Sequence, residues 1–158
     1  MLTQVDFGRS PGGVTFSHRE DFVHVVIENL GEEPISNCNV HIVGLEKQIG
    51  GKIKESPKIS PPIRLVTAGE HEENVTIYPE LPQHFDLASA SENKEALDFA
   101  PALRRPNIIS KDFFNDAAEY LFGIKVTSDH TPTISAVIKI AWENNWDALK
   151  VEKINGHR

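Results

Sequence analysis

The stretch Ile134-Ser135-Ala136-Val137-Ile138-Lys139-Ile140-Ala141-Trp142 places apolar residues at 134, 136, 138, 140 and 142. That period leaves little choice of backbone. Successive side chains of a strand point to opposite faces, so an every-second-residue apolar pattern is a strand with one face in a core. A second run precedes it, in which Tyr120, Phe122, Ile124 and Val126 alternate with Gly123, Lys125 and Thr127. Asp129-His130-Thr131-Pro132 lies between the two and carries turn chemistry. The pair reads as the hairpin of a β-sandwich.

The rest of the chain repeats the pattern in shorter pieces. Val14–Phe16 is a short candidate strand, and Phe22–Glu28 is a longer one with Val23, Val25 and Ile27 on its core face. Asn29-Leu30-Gly31-Glu32-Glu33-Pro34 turns the chain into a strand over Asn37–Leu45, where Cys38, Val40 and Ile42 point inward. Short strands are expected at Ile63–Val66 and Val75–Tyr78, and His84–Ala88 alternates with Phe85 and Leu87 inward. A last strand is expected over Ala148–Ile154. Residues 90–118 break the rhythm, with Pro101, Pro106 and a polar run from Ser91 to Glu95. Loops of that length are uncommon in compact domains. Two readings fit: a short helix over Lys111–Ala118, or a meander across one end of the sandwich. Punctuated short strands without long helices between them indicate an all-β domain rather than an α/β enzyme fold.

The bulk numbers narrow the function classes. A length of 158 fits one domain, spanning 1–158, which can be a module of a larger polypeptide. The net charge is −7, and the only adjacent basic pair is Arg104-Arg105. Nucleic acid is therefore not an expected partner, because a duplex binder needs clustered cations. No stretch approaches the roughly 20 apolar residues of a membrane span, so this segment is expected not to insert. Cys38 is the single cysteine, which excludes an intrachain disulfide and reads as a small buried thiol.

Val23-His24-Val25-Val26-Ile27-Glu28-Asn29-Leu30-Gly31 resembles the opening strand of bacterial and archaeal immunoglobulin-like accessory domains of the CARDB-like kind. Glu119–Thr127 is similar to their tyrosine-bearing strand. The likeness covers residues 20–45 and 115–142. It implies a non-catalytic spacer, recognition or assembly module, with no catalytic residues to transfer.

The candidate sites are few. His24 and His41 fall on the polar faces of consecutive strands. They are neighbours if those strands pair as a hairpin, and distant if the chain arches between sheets. His84 and Asp86 share the outward parity of their strand. Neither a serine-nucleophile motif nor a phosphate loop is present, and Asp21 and His24 point to opposite faces, so no catalytic, metal or cofactor site is assigned. Trp146, in a turn with Asn144, Asn145 and Asp147, forms the one candidate binding patch, since an exposed aromatic flanked by hydrogen-bonding groups suits a sugar face.

The sequence thus predicts an immunoglobulin-like antiparallel β-sandwich of about seven to nine strands with a long excursion at 90–118. The expected role is a non-enzymatic protein-binding or assembly module. Its partner would be another protein or the rest of a larger polypeptide, and strand edges offer a route to a homodimer. The alternative is a carbohydrate-binding module built on the Trp146 patch.

Overall fold

The computed structural model describes residues 12–18, 22–90, 95–110, 112–129, 131–145 and 148–154. In chain order the strands are β1 (Gly12–His18), β2 (Phe22–Asn29), β3 (Ile35–Ile49), β4 (Lys52–Glu55), β5 (Ile63–Arg64), β6 (Val75–Ile77), β7 (Gln83–Ser89), β8 (Asp98–Phe99), β9 (Ala118–Thr127), β10 (Ile134–Trp142) and β11 (Lys150–Ile154). They form two antiparallel sheets, ordered β1-β2-β7-β8 and β11-β10-β9-β3-β4, with β5 and β6 also paired to β3. The all-β sandwich expected from the alternating pattern is the observed architecture. Eleven strands exceed the expected seven to nine because β4, β5, β6 and β8 are edge pieces of two to four residues.

The inward faces are those that the period-two pattern assigns. Val23, Val25, Ile27, Val40, Ile42, Phe85, Leu87, Phe122, Ile124, Val126, Ala136, Ile138, Ile140 and Trp142 are all buried, and Ile134 is partly buried against them. Each such side chain contributes about 1.5–3 kcal/mol, so this shared core is what holds the two sheets together. The β9–β10 hairpin is in register as the sequence implies, with Ile138 opposite Phe122 and Ala136 opposite Ile124.

β3 departs from the expected 37–45 boundaries, and the reason is a bulge. Ile42 pairs with Ile124 and Gly44 with Gly123, which leaves Val43 as an extra residue. Before the bulge the inward residues are Cys38, Val40 and Ile42; after it they are Leu45 and Lys47. The two glycines make the close approach feasible, because a Cβ at Gly123 would sit 3.4 Å from the Gly44 nitrogen. The long free edge of β3 is covered in turn by β6, β5 and β4. Lys52 and Lys54 place charge on β4 itself, the usual protection of an exposed strand edge.

Residues 63–68 switch sheets at the sandwich edge. Ile63 and Arg64 pair with β3, and the Leu65 nitrogen donates to the Val40 carbonyl at 2.9 Å. One residue later the chain has joined the first sheet, where the Asp86 nitrogen donates to the Val66 carbonyl at 2.9 Å.

The 90–118 excursion is a meander, not a helix. β8 adds to β7, a 3-10 turn follows at Ala100–Leu103, and tight turns run through Asp112–Asn115. Lys111 and residues 91–94 lie outside the described residues. Isolated turns over 112–117, with β9 already begun at Ala118, take the place of the helix, and Leu97, Phe99, Phe113 and Phe114 all enter the core. Phe113 and Phe114 pack edge to face at 4.8 Å, and both rest on Tyr120. The excursion is thus a wall of the sandwich rather than a free arm.

Two buried polar anchors fix that wall. The Tyr120 hydroxyl donates to the Asp116 carbonyl at 2.7 Å, and the Lys47 ammonium lies 2.8 Å from the Asp116 carboxylate.

Cys38 is buried as expected, and desolvation pushes its thiol up to about 11. In the folded protein it is expected to resist an aromatic disulfide reagent at neutral pH and to react fully once denaturant is added. The raised value also has a sign. The unfolded thiol ionises first, so its contribution to stability is intact below about pH 9 and is lost as pH rises toward about 11.

Candidate functional site

The described residues offer three surface features, and the first is the predicted patch. Trp146 and Asp147 lie outside the described residues, while Asn144 and Asn145 occupy the turn after β10 and are exposed. Asn144 adopts a left-handed backbone, with φ of 59°. Asparagine tolerates that conformation better than most residues. Its side-chain amide donates to the Glu95 carbonyl at 2.6 Å and to the Asn115 carbonyl at 3.0 Å. The Trp142 indole reaches the same Glu95 carbonyl at 3.3 Å. Both amide protons of Asn144 therefore tie down the two ends of the excursion. A cleft of about 680 Å³ beside them is lined by Glu95, Ala96, Asn115 and Asn144.

The second feature is a histidine cluster on the outer face of the first sheet. β2 and β3 belong to different sheets, so His24 and His41 do not meet. His24 instead lies opposite Asp86 across the β2–β7 ladder, with Nε2 3.2 Å from Oδ1. The His84 ring meets it edge-on at 5.7 Å, and Phe22 stacks on its other side at 6.2 Å. Burial, and then the neighbouring His24, hold His84 below the ordinary imidazole range. His41, in the other sheet, is also held down, by burial and then by the charges of Arg64 and Lys125. Among the described residues, no three His, Cys, Asp or Glu side chains converge to hold a metal ion.

These two depressed histidines make stability depend on pH. Protonation is harder in the folded state, so their contribution is present above about pH 6.5 and is lost as pH falls below it. The double substitution His41→Gln with His84→Gln is expected to flatten the fall in melting temperature between about pH 6.5 and pH 5. An unchanged slope in a thermal-melt pH series would contradict the assignment.

The third feature lies at one end of the sandwich, where the β2–β3 turn meets the β6–β7 turn. Leu30 and Tyr78 are each 50% exposed and Leu81 is 61% exposed. With Pro79 and Pro82, the leucines border a cleft of about 290 Å³ that Glu28, Asn29, Gly31 and Glu80 complete. Asn29 joins the two turns from below. Its buried amide donates to the Glu33 carbonyl at 2.6 Å and to the Ile77 carbonyl at 2.9 Å, while its carbonyl oxygen accepts from the Gly31 nitrogen at 2.9 Å. The Leu81 nitrogen donates to the Tyr78 carbonyl at 3.2 Å and closes a tight turn around Pro79-Glu80. Glu80 carries the positive φ of that turn, 66°.

Read as a sequence, these segments register only as turns. Their signal is the large apolar residue inside a turn: Leu30 between Asn29 and Gly31, and Leu81 between Glu80 and Pro82. Singly, such residues are ordinary on a protein surface; only the fold places them side by side. Among the described residues, no helix is long and apolar enough to cross a membrane. No family model matches the chain, and no curated protein or solved structure matches it significantly.

Proposed function

We propose that the chain is a non-catalytic binding or assembly module that docks a protein partner at the Leu30–Leu81 end of the sandwich. The observation that carries the reading is the grouping of Leu30, Tyr78 and Leu81 on two turns locked together by Asn29. Large apolar side chains on a fixed backbone suit the core of a docking patch, because the backbone needs no further ordering on binding.

An immunoglobulin-like ancestry fits this role. β1, β2 and β7 face β3, β9 and β10, as the first, second and fifth strands of such domains face the third, sixth and seventh. The Tyr120 bond to the carbonyl four residues upstream has the pattern of a tyrosine corner, which supports the immunoglobulin-like reading. A homodimer through β4 is the weaker route, since that edge is only four residues long and offers few backbone groups to a second copy.

A photo-crosslinking residue placed at Leu81, in cells that make the protein, tests the proposal against the same residue placed at Lys125 on the outer face of the other sheet. The expected result is one crosslinked protein from position 81, absent from position 125 and lost on Leu30→Ser. No crosslink from position 81, or equal crosslinks from both positions, would overturn it.

The second reading is carbohydrate binding at the Asn144 corner, favoured by the wide cleft between Asn115 and Asn144. A glycan array on which the protein binds nothing removes it.

A further inference from the structure

We infer that the occupant of the Leu30–Leu81 cleft is an extended basic peptide segment that seats one large apolar side chain between the two leucines. This rests on the docking reading above and adds the chemistry of the partner. The apolar part of the lining is Leu30, Pro79, Leu81 and Pro82, and the cleft volume of about 290 Å³ suits one aliphatic or aromatic side chain rather than a whole ligand. The rim is anionic. Glu28 and Glu80 line the cleft, and Glu32 and Glu33 are exposed on the same β2–β3 turn.

Among the described residues no cation offsets them locally. Residues 28–34 and 78–83 contain no lysine or arginine, and none of the four carboxylates forms an ion pair with a described residue. Some surface carboxylates elsewhere are matched, as Glu119 and Glu152 both hold Lys139 and Glu73 meets Arg64, whereas Glu70 and Glu72 face each other. An unmatched acidic rim around an apolar floor repels an acidic partner and draws in a basic one, which sets both encounter rate and specificity. Asn29 ties the two turns together, so a short peptide can seat one side chain there without a rearrangement of the backbone.

The test uses the whole chain and three labelled peptides read by fluorescence anisotropy. One is Arg-Lys-Leu-Phe-Lys-Arg, one replaces each cation with glutamate, and one keeps the cations but replaces Leu-Phe with two serines. The basic apolar peptide is expected to bind saturably, and each of the others to bind about tenfold more weakly or worse. Its affinity should fall severalfold between about 50 mM and about 300 mM salt. Glu33→Lys combined with Glu80→Lys is expected to weaken it about tenfold. Leu81→Ser should weaken it comparably, with Leu30→Ser as the second variant and circular dichroism confirming the fold of each.

Equal binding of basic and acidic peptides, no binding, or binding indifferent to both leucine variants would overturn the inference. Self-association in sedimentation velocity that disappears with Leu81→Ser would also overturn it, by naming a second copy as occupant. A specific crosslink from position 81 without a basic-peptide preference removes this inference and leaves the docking reading standing. Absence of that crosslink removes the docking reading itself.

Discussion

Replacing Ile138 with aspartate is expected to abolish cooperative folding. Ile138 is fully buried on β10, flanked in its sheet by β9 and β11, with Phe122 as its cross-strand neighbour. A carboxylate there loses its water, and the one cation beside it in the ladder, Lys153 of β11, already has an interaction of its own. The carboxylate must either stay charged at a cost of several kcal/mol or take up a proton, which also costs free energy at neutral pH. A domain stable by about 5–15 kcal/mol has little margin for that change together with the lost apolar burial. The conservative control, Ile138→Val, removes one methylene and should cost only about 0.5–1.5 kcal/mol. Far-ultraviolet circular dichroism with a thermal ramp reads the difference. An aspartate variant that melts at the wild-type temperature would refute the inward placement of β10.

The second large effect is expected at Lys47, where the identity of the replacement decides the outcome. Its side chain is 2% exposed, and its ammonium lies 2.8 Å from the Asp116 carboxylate and 3.7 Å from that of Glu55. It also sits 4.7 Å from the centre of the Phe113 ring and 5.9 Å from that of Tyr120. Lys47→Glu buries an anion facing two others and should cost about 3–5 kcal/mol, releasing the Phe113–Tyr120 wall. Lys47→Met keeps the stem volume and leaves Asp116 in contact with water, so it should be close to neutral. Lys47→Ala falls between the two, because it opens a cavity beside Phe113. The order Met, Ala, Glu in urea midpoints is the expected result; a glutamate variant as stable as the methionine one would show that the ammonium does not hold the excursion in place.

Lys47 also shows where local pattern stops being informative. The inward parity of Cys38, Val40 and Ile42, continued without a break, puts Gly44 and Glu46 inside, and the apolar signal fades at Leu45. The bulge at Val43 resets the parity and turns Lys47 into the core. Gly44 is its one local mark, since a glycine inside a strand can signal a bulge or a strand end, but it does not say which way the parity resets. The reset follows from the facing of Gly44 and Gly123, residues that only the β3–β9 pairing brings together. The His24–Asp86 contact has the same origin, since it requires β2 to pair with β7 across the intervening chain. Val26 carries the outward parity of His24 and yet is buried, so parity assigns a face and not the accessibility of that face. Of the candidate binding residues, Asn144 proves to be occupied in bracing the excursion, a role set by backbone carbonyls at Glu95 and Asn115 that are remote in sequence.

The amino-acid sequence by itself determined that this chain makes strands, which face of β2, β7, β9 and β10 enters the shared core, and that β9 and β10 form a hairpin. These follow from the steric alternation of neighbouring side chains and from short turns, both of which act within a few residues. Only the tertiary structure decided which distant strands pair, that the 90–118 segment is a packed wall, and that Leu30 and Leu81 share a cleft. Those outcomes depend on burial between segments tens of residues apart, and a free energy shared among distant partners leaves no periodic trace in any one of them.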